Sequence, residues 1–275
     1  ATSGGVPVTT LNVTTQGTLF FAPYKGNRIA LFDATRWRMY TFSEMSIPLV
    51  VTSTSNYDVF MWDSSGTLLL QLGTIWTNGT TRANILTTQN GVWINSAAEG
   101  SMGSKAGRYL GTIRASSSNV IEDSFTSRFV WNYYNKFQRV LRVTEGTSSW
   151  TYSSSTYRQA NASTANQVEG LIGIANEGRT KLELKTWCDG AVAQSKTVGI
   201  GLDGTTVNSS YISVPAFGST VTTQIAISVY DTYDSVGYHA WKWIERNNDN
   251  VNSITFYGIG AGGVRACGMT GFIEG

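Results

Sequence analysis

The sequence predicts an all-β protein built from antiparallel β-sandwich or jelly-roll units, and three observations carry this prediction. Apolar and polar residues alternate in many short runs, with the two-residue period of β-strands. Glycine, which occurs 29 times, recurs with Ser, Thr and Asn between the runs, where turns are expected. No long stretch keeps a helical period, and no fixed-period repeat is present. Regularly spaced short strands of this kind are typical of sandwiches and jelly rolls.

The densest run of aromatic and β-branched residues covers 128–143, and we expect it to form the central hairpin of a sheet. Side chains alternate through its first half, and the alternation resumes after Asn135-Lys136. These aromatic residues are most simply explained as core, because large apolar side chains are mostly buried for packing reasons. Stacking on a ligand is the alternative.

Shorter runs of the same kind predict the remaining strands. The strongest signal is a hairpin in which 57–62 and 67–72 flank the turn Asp63-Ser-Ser-Gly66. The other predicted strands, in chain order, are 18–22, 27–33, 37–42, 92–94, 109–114, 149–152, 156–158, 167–175, 181–187, 191–193, 197–202, 220–229, 237–245 and 253–257.

The small-residue stretch 97–107 divides the predicted strands into two groups. Its composition fits either a domain boundary or a long surface loop. As a boundary, it gives an N-terminal arm over 1–23, a small β domain over 24–107 and a β-sandwich over 108–275. The arm is rich in Gly and Thr, and we expect it to order against a neighbour.

Charge and cysteine content exclude several classes of partner. The net charge is only +2 and the basic residues are scattered, whereas a nucleic-acid binder needs a basic stripe. No run has the length of a membrane helix, and the first residues lack the pattern of a secretion signal, so membrane insertion is not expected. Cys188 and Cys267 have no neighbours at zinc-ligand spacing. We therefore expect no metal and no cofactor, and two buried thiols rather than a disulfide.

Two motifs could indicate catalysis, but the residues around them do not fit a catalytic site. Residues 258–263 match the glycine pattern of dinucleotide sites, but no helix and no acidic residue about 20 positions further on can follow before Gly275. His239 is the sole histidine and lies among aromatic residues of a predicted strand, which favours a structural role. The sequence therefore predicts a protein that is not an enzyme.

Paired carboxylates are the remaining route to polysaccharide cleavage, which needs two acids at a suitable separation. The spacing of the candidates is typical of hairpin ends and turns, where Asp is favoured by its local hydrogen bonds. The three candidate pairs are Asp58 with Asp63, Glu122 with Asp123, and Asp231 with Asp234.

Saccharide binding without catalysis fits the segment 230–238 better. Its tyrosine rings and carboxylates are the groups that hold the apolar faces and hydroxyls of sugars. Packing of this loop on a neighbouring subunit is an equally good interpretation. The predicted ligand-binding residues are Tyr230, Asp231, Tyr233, Asp234 and Tyr238.

Six segments carry a resemblance to a known group through their order and spacing. They read Tyr24-Lys-Gly-Asn-Arg-Ile, Leu31-Phe-Asp-Ala-Thr-Arg-Trp-Arg-Met-Tyr-Thr-Phe-Ser, Tyr57-Asp-Val-Phe-Met-Trp, Tyr109-Leu-Gly-Thr-Ile-Arg, Arg128-Phe-Val-Trp-Asn-Tyr-Tyr-Asn and Ser149-Trp-Thr-Tyr. The series resembles a widespread group of tailed-bacteriophage virion proteins, the tail-fibre, head-fibre and decoration proteins. The likeness extends from about Tyr24 to the C-terminus.

The resemblance implies a β-rich structural virion protein that forms a homotrimer, contacts other capsid or tail proteins and contributes to adhesion on host-surface glycans. The group has no catalytic motif that could be transferred to residues of this chain. Two alternatives remain: a polysaccharide-binding or polysaccharide-degrading protein of the tailspike kind, and a secreted lectin.

Overall fold

The computed structural model describes residues 3–4, 12–190, 195–217, 223–248, 252–260 and 266–275. In these ranges the chain forms strands, one 3₁₀ turn at Ala160–Ala162 and no α-helix, which confirms the predicted all-β class. The strands are β1 Val13–Gln16, β2 Thr18–Phe21, β3 Arg28–Phe32, β4 Trp37–Thr41, β5 Met45–Pro48, β6 Asn56–Ser64, β7 Thr67–Leu72, β8 Leu86–Gln89, β9 Val92–Asn95, β10 Arg108–Ser117, β11 Val120–Asp123, β12 Ser127–Arg128, β13 Val130–Asn132, β14 Gln138–Val143, β15 Ser149–Tyr152, β16 Arg158–Gln159, β17 Gln167–Ile172, β18 Arg179–Asp189, β19 Ser195–Leu202, β20 Ile212–Val214, β21 Ala216–Phe217, β22 Gln224–Tyr233, β23 Gly237–Asn247, β24 Ile254–Tyr257 and β25 Gly268–Glu274.

Two sheets hold most of these strands. The large sheet runs β21-β19-β23-β17-β12-β11-β10-β6-β7, and β1, β8, β9, β13 and β16 pair with its members. The second sheet runs β14-β25-β18-β22-β20, with β15 and β24 attached to it. Two further ladders, β2-β5 and β3-β4, lie beside the large sheet's N-terminal strands. Among the described strands, only β12 and β17 pair in parallel.

The second sheet packs face to face on strands β17, β19 and β23 of the large sheet. On strand β18, Leu182, Leu184, Thr186 and Cys188 are fully buried, whereas the residues that alternate with them, Glu183, Lys185 and Trp187, are not. Trp241 and Trp243 of β23 and Val198 and Ile200 of β19 fill the facing side of the same core. The two layers form a β-sandwich.

A second core lies at the other end of the large sheet, and β10 connects the two regions. Strand β10 pairs with β6, with β13 and with β11. Residues of β2, β3, β6, β10 and β11 pack together there, and the fully or nearly buried ones are Leu19, Ile29, Leu31, Leu49, Val51, Tyr57, Val59, Met61, Leu70, Leu110, Ile113, Ala115 and Ile121.

The two cores meet at Trp131, which is 1% exposed. Its ring lies 6.4 Å from the ring of Tyr109, and its Nε1 donates to the carbonyl of Glu274 at 3.2 Å. Leu171 of β17 and Phe60 of β6 belong to the same cluster. Trp131 therefore joins the C-terminal strand, the sandwich and the N-terminal sheet.

The predicted hairpin over 128–143 is wrong. Strand β13 pairs with β10 in the large sheet, whereas β14 pairs with β25 in the second sheet, so the segment crosses from one layer to the other. The side chain of Asn132 turns the chain by accepting the backbone N–H groups of Tyr134 and Asn135, at 3.0 and 3.2 Å. Alternating residues fit a hairpin and two strands in facing sheets equally well, so the sequence pattern could not show that the two halves of this segment pair with different strands.

Several local predictions are confirmed. Strands β6 and β7 form the predicted hairpin, and the N–H of Gly66 donates to Asp63 Oδ1 at 2.8 Å in its turn. Strands β3 and β4 pair across 33–36 as expected. The predicted strand 191–193 and residues 261–263 of the glycine-rich motif lie outside the described residues, as do 1–2 and 5–11 of the predicted arm.

The predicted division of the chain after residue 107 stays a prediction. The first strand after it, β10, pairs with β6 before it. The last part of the predicted arm, β1, pairs with β11 of the same chain.

A substitution at Gly173 tests the close packing around Trp131. A Cβ at this position would overlap the Trp131 ring and the Tyr109 hydroxyl, and both partners are buried. We expect Gly173→Ala to lower the free energy of unfolding by about 1–3 kcal/mol, the usual cost of overpacking. Urea denaturation followed by tryptophan fluorescence measures this change.

Gly103→Ala is the matched control, because a Cβ there has no neighbour within 4 Å. Its unfolding free energy should stay within about 0.5 kcal/mol of the wild type. Equal stability of the two variants would contradict the packing of Gly173 against Trp131.

Candidate functional site

The segment 230–238 spans the end of β22, a turn and the start of β23, so it connects the second sheet to the large sheet. Tyr230 and Asp234 point inward, with exposures of 3% each, and the Tyr230 hydroxyl donates to the Asp234 carboxylate. Burial raises the pKa of both groups. These two predicted ligand residues therefore stabilise the crossover from inside.

The other three predicted residues lie nearer the surface, and each is in a different environment. Asp231 accepts two hydrogen bonds from Arg179, at 2.7 and 2.8 Å, and these bonds hold its pKa below the usual range. Tyr233 is 56% exposed. The Tyr238 hydroxyl donates to Glu169 at 2.5 Å, and Arg114 lies 3.9 Å over its ring. Of the five residues, only Tyr233 presents a free ring to solvent, and ligand binding by this segment stays a prediction.

Tyr238 also borders a cleft of about 440 Å³ that lies between the loop at 77–81 and strands β17 and β23. The loop at 77–81 forms one wall, where the carbonyl of Gly79 accepts the backbone N–H of Tyr238 at 2.8 Å. Gln167, Asp203 and Lys242 line the opposite side. Because the Tyr238 ring and hydroxyl are occupied by Arg114 and Glu169, the cleft offers no aromatic face for stacking.

His239 is buried and uses both ring nitrogens. Its Nδ1 lies 2.9 Å from Asp203 Oδ2, and its Nε2 lies 2.9 Å from the carbonyl oxygen of Ser235. Both oxygens are hydrogen-bond acceptors, so this geometry favours the charged imidazolium, in which both nitrogens donate. Burial alone would lower the pKa of His239, but the hydrogen bonds to Asp203 and Ser235 outweigh it and raise the pKa above the ordinary 6.5. In this form the ring has no lone pair with which to accept a proton as a general base.

None of the three predicted carboxylate pairs faces across a gap. Asp58 and Asp63 are five positions apart on β6 and so point to opposite faces of the sheet. Asp58 is buried and accepts a hydrogen bond from Arg82 at 2.7 Å. Asp63 accepts a hydrogen bond from the Tyr40 hydroxyl at 2.8 Å.

Glu122 and Asp123 are adjacent on β11, so they too project to opposite faces. Asp123 is buried against Arg139 and Arg128. Asp231 and Asp234 make the separate contacts described above, one at the surface and one inside.

Two other acids have pKa values shifted in opposite directions, and the sequence pattern did not indicate them. Burial raises the pKa of Glu245 to about 7 despite its bonds from Trp150 at 2.7 Å and Arg158 at 2.9 Å. Burial would also raise the pKa of Glu145, but hydrogen bonds from Thr147 and Asn166 outweigh it and lower the pKa. Glu245 is 0% exposed and Glu145 is 8% exposed, so this pair is enclosed in the sandwich away from a substrate.

A groove of about 360 Å³ lies between β2 and the 22–29 segment on one side and β11, β13 and the 134–139 segment on the other. Such a volume is within the usual range for ligand sites. Its lining residues are Val13, Gln16, Thr18, Leu19, Phe20, Phe21, Ala22, Tyr24, Lys25, Gly26, Arg28, Ile29, Phe42, Arg108, Ile121, Glu122, Asp123, Val130, Asn132, Tyr134, Asn135, Phe137, Arg139 and Gly275. We call it the aromatic groove.

Aromatic rings cover both walls of the aromatic groove. Tyr24 is 53% exposed and meets Phe137 edge-on at 6.1 Å. Tyr134 on the opposite wall is 43% exposed. Phe21 and Phe42 stack at 5.4 Å and pack against the N-terminal core. The groove therefore combines a fixed apolar floor with two rings open to solvent.

The charges of the aromatic groove are predominantly basic. Arg108 donates to the Tyr134 hydroxyl at 2.8 Å and to the carbonyl of Ala30 at 3.0 Å. Lys25 and Arg28 also line the groove. In the described part of the chain, these three cations have no carboxylate partner.

A second unusual surface is the outer face of the second sheet at its β20 edge. Inward-facing Ser213 and Ser228 both donate to the carbonyl of Val198 in the other layer, at 3.1 and 2.7 Å. Their neighbours therefore point outward. Five neighbouring outward residues of β20 and β22 are aliphatic, and we call them the aliphatic face: Ile212, Val214, Ile225, Ile227 and Val229. Beyond Val229, the same side of β22 continues with Asp231, which is paired with Arg179, and Tyr233.

Cys188 and Cys267 are buried and not bonded to each other. No group of three His, Cys, Asp or Glu side chains that could hold a metal ion occurs in the described ranges. Within these ranges there is also no helix of the length and apolarity that a membrane span requires.

Comparisons with known proteins give only distant likenesses. No protein-family model matches the chain, and the curated proteins contain no significant match to it. Among solved structures, the chain is similar to that of infectious bursal disease virus Gx strain, with 12% identity, a TM-score of 0.25, and coverage of 96% of this chain and 72% of the other. The Gt strain gives 14% identity, a TM-score of 0.20 and coverage of 96% and 73%.

A third likeness is to the insecticidal delta-endotoxin Cry8Ea1 of Bacillus thuringiensis. It has 10% identity and a TM-score of 0.17, and it covers 90% of this chain and 52% of the other. TM-scores this low carry no inference about the fold or function of the chain.

The His239–Asp203 contact should make stability depend on pH. The raised pKa of His239 means that its contribution is fully present below the ordinary value of 6.5 and is lost as pH rises through the folded-state pKa. We expect His239→Gln to lower the free energy of unfolding by about 2 kcal/mol at about pH 5.5, and by less at about pH 9. Urea denaturation of both proteins at the two pH values measures the difference.

Comparing the variant with the wild type cancels the contribution of Glu245, whose raised pKa favours the folded state at low pH in both proteins. A loss of stability in His239→Gln that is equal at both pH values would contradict a charged His239.

Proposed function

We propose that the protein is a non-enzymatic structural subunit of a tailed-bacteriophage particle, a fibre, spike or head-decoration protein that assembles as a homotrimer of jelly-roll-like sandwiches and contributes to adhesion on the host. The sequence resemblance supports the particle and the threefold assembly. The observation on the molecule that carries the proposal is the aliphatic face, because it supplies a surface suited to permanent contact between copies.

The aliphatic face departs from the usual pattern of an outer sheet face. Antiparallel sheets normally present alternating polar residues to water. Here, Ile212, Val214 and Ile225 are 48%, 50% and 43% exposed, and Ile227 and Val229 stand next to them in register. Contiguous exposed apolar surface of this kind marks interaction sites. A subunit that buries this face would gain hydrophobic free energy.

A second copy of the chain is the occupant that the charges favour. The aliphatic face carries no charge, so two or three copies can bring it together without leaving an ion unpaired. The nearest charges on the neighbouring strand, Glu183 and Lys185, form an ion pair with each other at 2.5 Å. Strand β20 is also the last strand of its sheet in the described chain, which leaves backbone groups open to a neighbour.

A catalytic role has no comparable support. The predicted carboxylate pairs point apart, and the acids with opposed pKa shifts are enclosed. Cleavage of a polysaccharide needs two acids on either side of one accessible bond.

Light scattering on the purified 275-residue chain tests the proposed assembly. We expect the mass of a trimer for the wild type and the mass of a monomer for Ile225→Lys, because an unpaired charge in an apolar interface costs several kcal/mol. Ile225 is 43% exposed, so the single subunit should tolerate the lysine.

Val50→Lys is the matched control, because Val50 is 82% exposed and lies outside the aliphatic face. This variant should keep the trimer. A monomeric wild type at high protein concentration, or a trimer that survives Ile225→Lys, would overturn the proposed interface.

A further inference from the structure

We propose that the aromatic groove binds an acidic saccharide, a sugar chain bearing carboxylates. The biological role of this site rests on the adhesion that we propose above. Its residues, however, are separate from those of the aliphatic face. The occupant is inferred from the rings, the cations and the hydrogen-bonding groups that the groove brings together.

The two open rings supply the contact with the sugar body. Tyr24 and Tyr134 stand on opposite walls. Tyr24 meets the edge of Phe137 at 6.1 Å, with Lys25 Nζ 6.0 Å from its ring centre. Tyr134 is held by Arg108, which bonds its hydroxyl at 2.8 Å, and by the ring of Tyr133 at 4.9 Å. Tyr24 is 53% exposed and Tyr134 is 43% exposed, so both side chains are open to solvent in part. Burial of an aromatic face against an apolar sugar face removes that surface from water and fixes the orientation of the sugar.

The charge balance selects an acidic ligand. Asp123 is already paired with Arg139, which leaves Lys25, Arg28 and Arg108 against Glu122 as the remaining charged side chains of the lining. Glu122 accepts a hydrogen bond from Ser124 at 2.5 Å. Three cations facing one anion produce a positive potential in the groove, and a guanidinium binds a carboxylate through paired hydrogen bonds.

Arg108 is the group best placed to bind the carboxylate of the saccharide. Its guanidinium is fixed between the Tyr134 hydroxyl and the carbonyl of Ala30, with Cζ 4.6 Å from the centre of the Tyr134 ring. These contacts use Nε and Nη1 and leave donors of the planar group available. A ligand that stacks on Tyr24 and reaches the opposite wall would place its carboxylate beside a cation that is already oriented on Tyr134.

Neutral polar groups complete the lining. Gln16, Asn132 and Asn135 border the groove and can donate to or accept from sugar hydroxyls. A groove with rings for the sugar body, amides for hydroxyls and a fixed guanidinium for an acid fits an acidic saccharide better than a purely apolar ligand.

Titration calorimetry with the full chain tests the proposal with two probes of equal length, an oligogalacturonate and the neutral galacto-oligosaccharide. We expect the wild type to bind the acidic probe about tenfold or more tightly than the neutral one. Arg108→Gln should remove most of this preference. Tyr24→Ala should weaken binding of both probes, because it removes the stacking surface.

Arg36→Gln is the matched control for charge, because Arg36 is a surface arginine outside the groove with a side chain that is 68% exposed. It should bind both probes like the wild type. Urea denaturation should show that Tyr24→Ala and Arg108→Gln remain folded, so that a loss of binding reports on the groove.

Each result decides a different point. Equal or tighter binding of the neutral probe would overturn the acidic ligand class while leaving saccharide adhesion intact. Absence of binding by either probe would overturn the groove as a saccharide site, and the mass in solution would still test assembly separately. Binding of the acidic probe that Tyr24→Ala leaves unchanged would show general attraction to cations and would also overturn the proposed site.

Discussion

The buried ionic contact between Asp123, Arg139 and Arg128 holds the two layers of the protein together next to the groove. Arg139 belongs to the second sheet, whereas Asp123 and Arg128 belong to the large sheet, and all three side chains are less than one-tenth exposed. Arg139 also donates to the carbonyl of Val130 at 2.6 Å, and Arg128 donates to that of Val140 at 2.9 Å. Burial lowers the pKa of both arginines to about 10, still far above neutral pH. Removal of one partner from such a contact typically costs about 3–5 kcal/mol, because a charge is left unpaired in the interior.

The sequence predicted the parts of the fold that depend on neighbouring residues, but not those that depend on contacts between the two layers. The β6–β7 hairpin depends on neighbours along the chain, and alternation plus the turn at Asp63 sufficed. The crossing from β13 to β14 depends on pairing of β14 with β25, which is distant in sequence from the turn at Asn132. Alternating residues reveal that a segment is a strand, but they do not reveal its partner. The all-β class was therefore accessible, whereas the central pairing was not.

The candidate sites show the same limit. Tyrosines and aspartates at 230–238 suggested a binding loop, yet Tyr230 and Asp234 serve the interior, because a crossover between layers must bury its inner side chains. The aromatic groove combines Tyr24, Arg108 and Tyr134, which only the folded chain brings together. A weaker signal was present: Tyr24 and Tyr134 adjoin turn residues, Lys25-Gly26 and Asn135-Lys136, where an aromatic side chain has less reason to be core.

In the proposed function, the aliphatic face and the aromatic groove would serve two separate tasks, association between copies and recognition of a sugar. Association between copies requires apolar surface without charge, as on β20 and β22, whereas recognition of a sugar requires exposed rings beside ordered polar groups, as between β2 and β13. A single shallow groove of about 360 Å³ can contact only a short piece of a sugar chain. Repetition of such a weak contact on three linked subunits raises the effective concentration of the second and third sites, so that assembly multiplies the strength of adhesion without any new contact. In this scheme, the face that holds the copies together is what makes a weak groove sufficient.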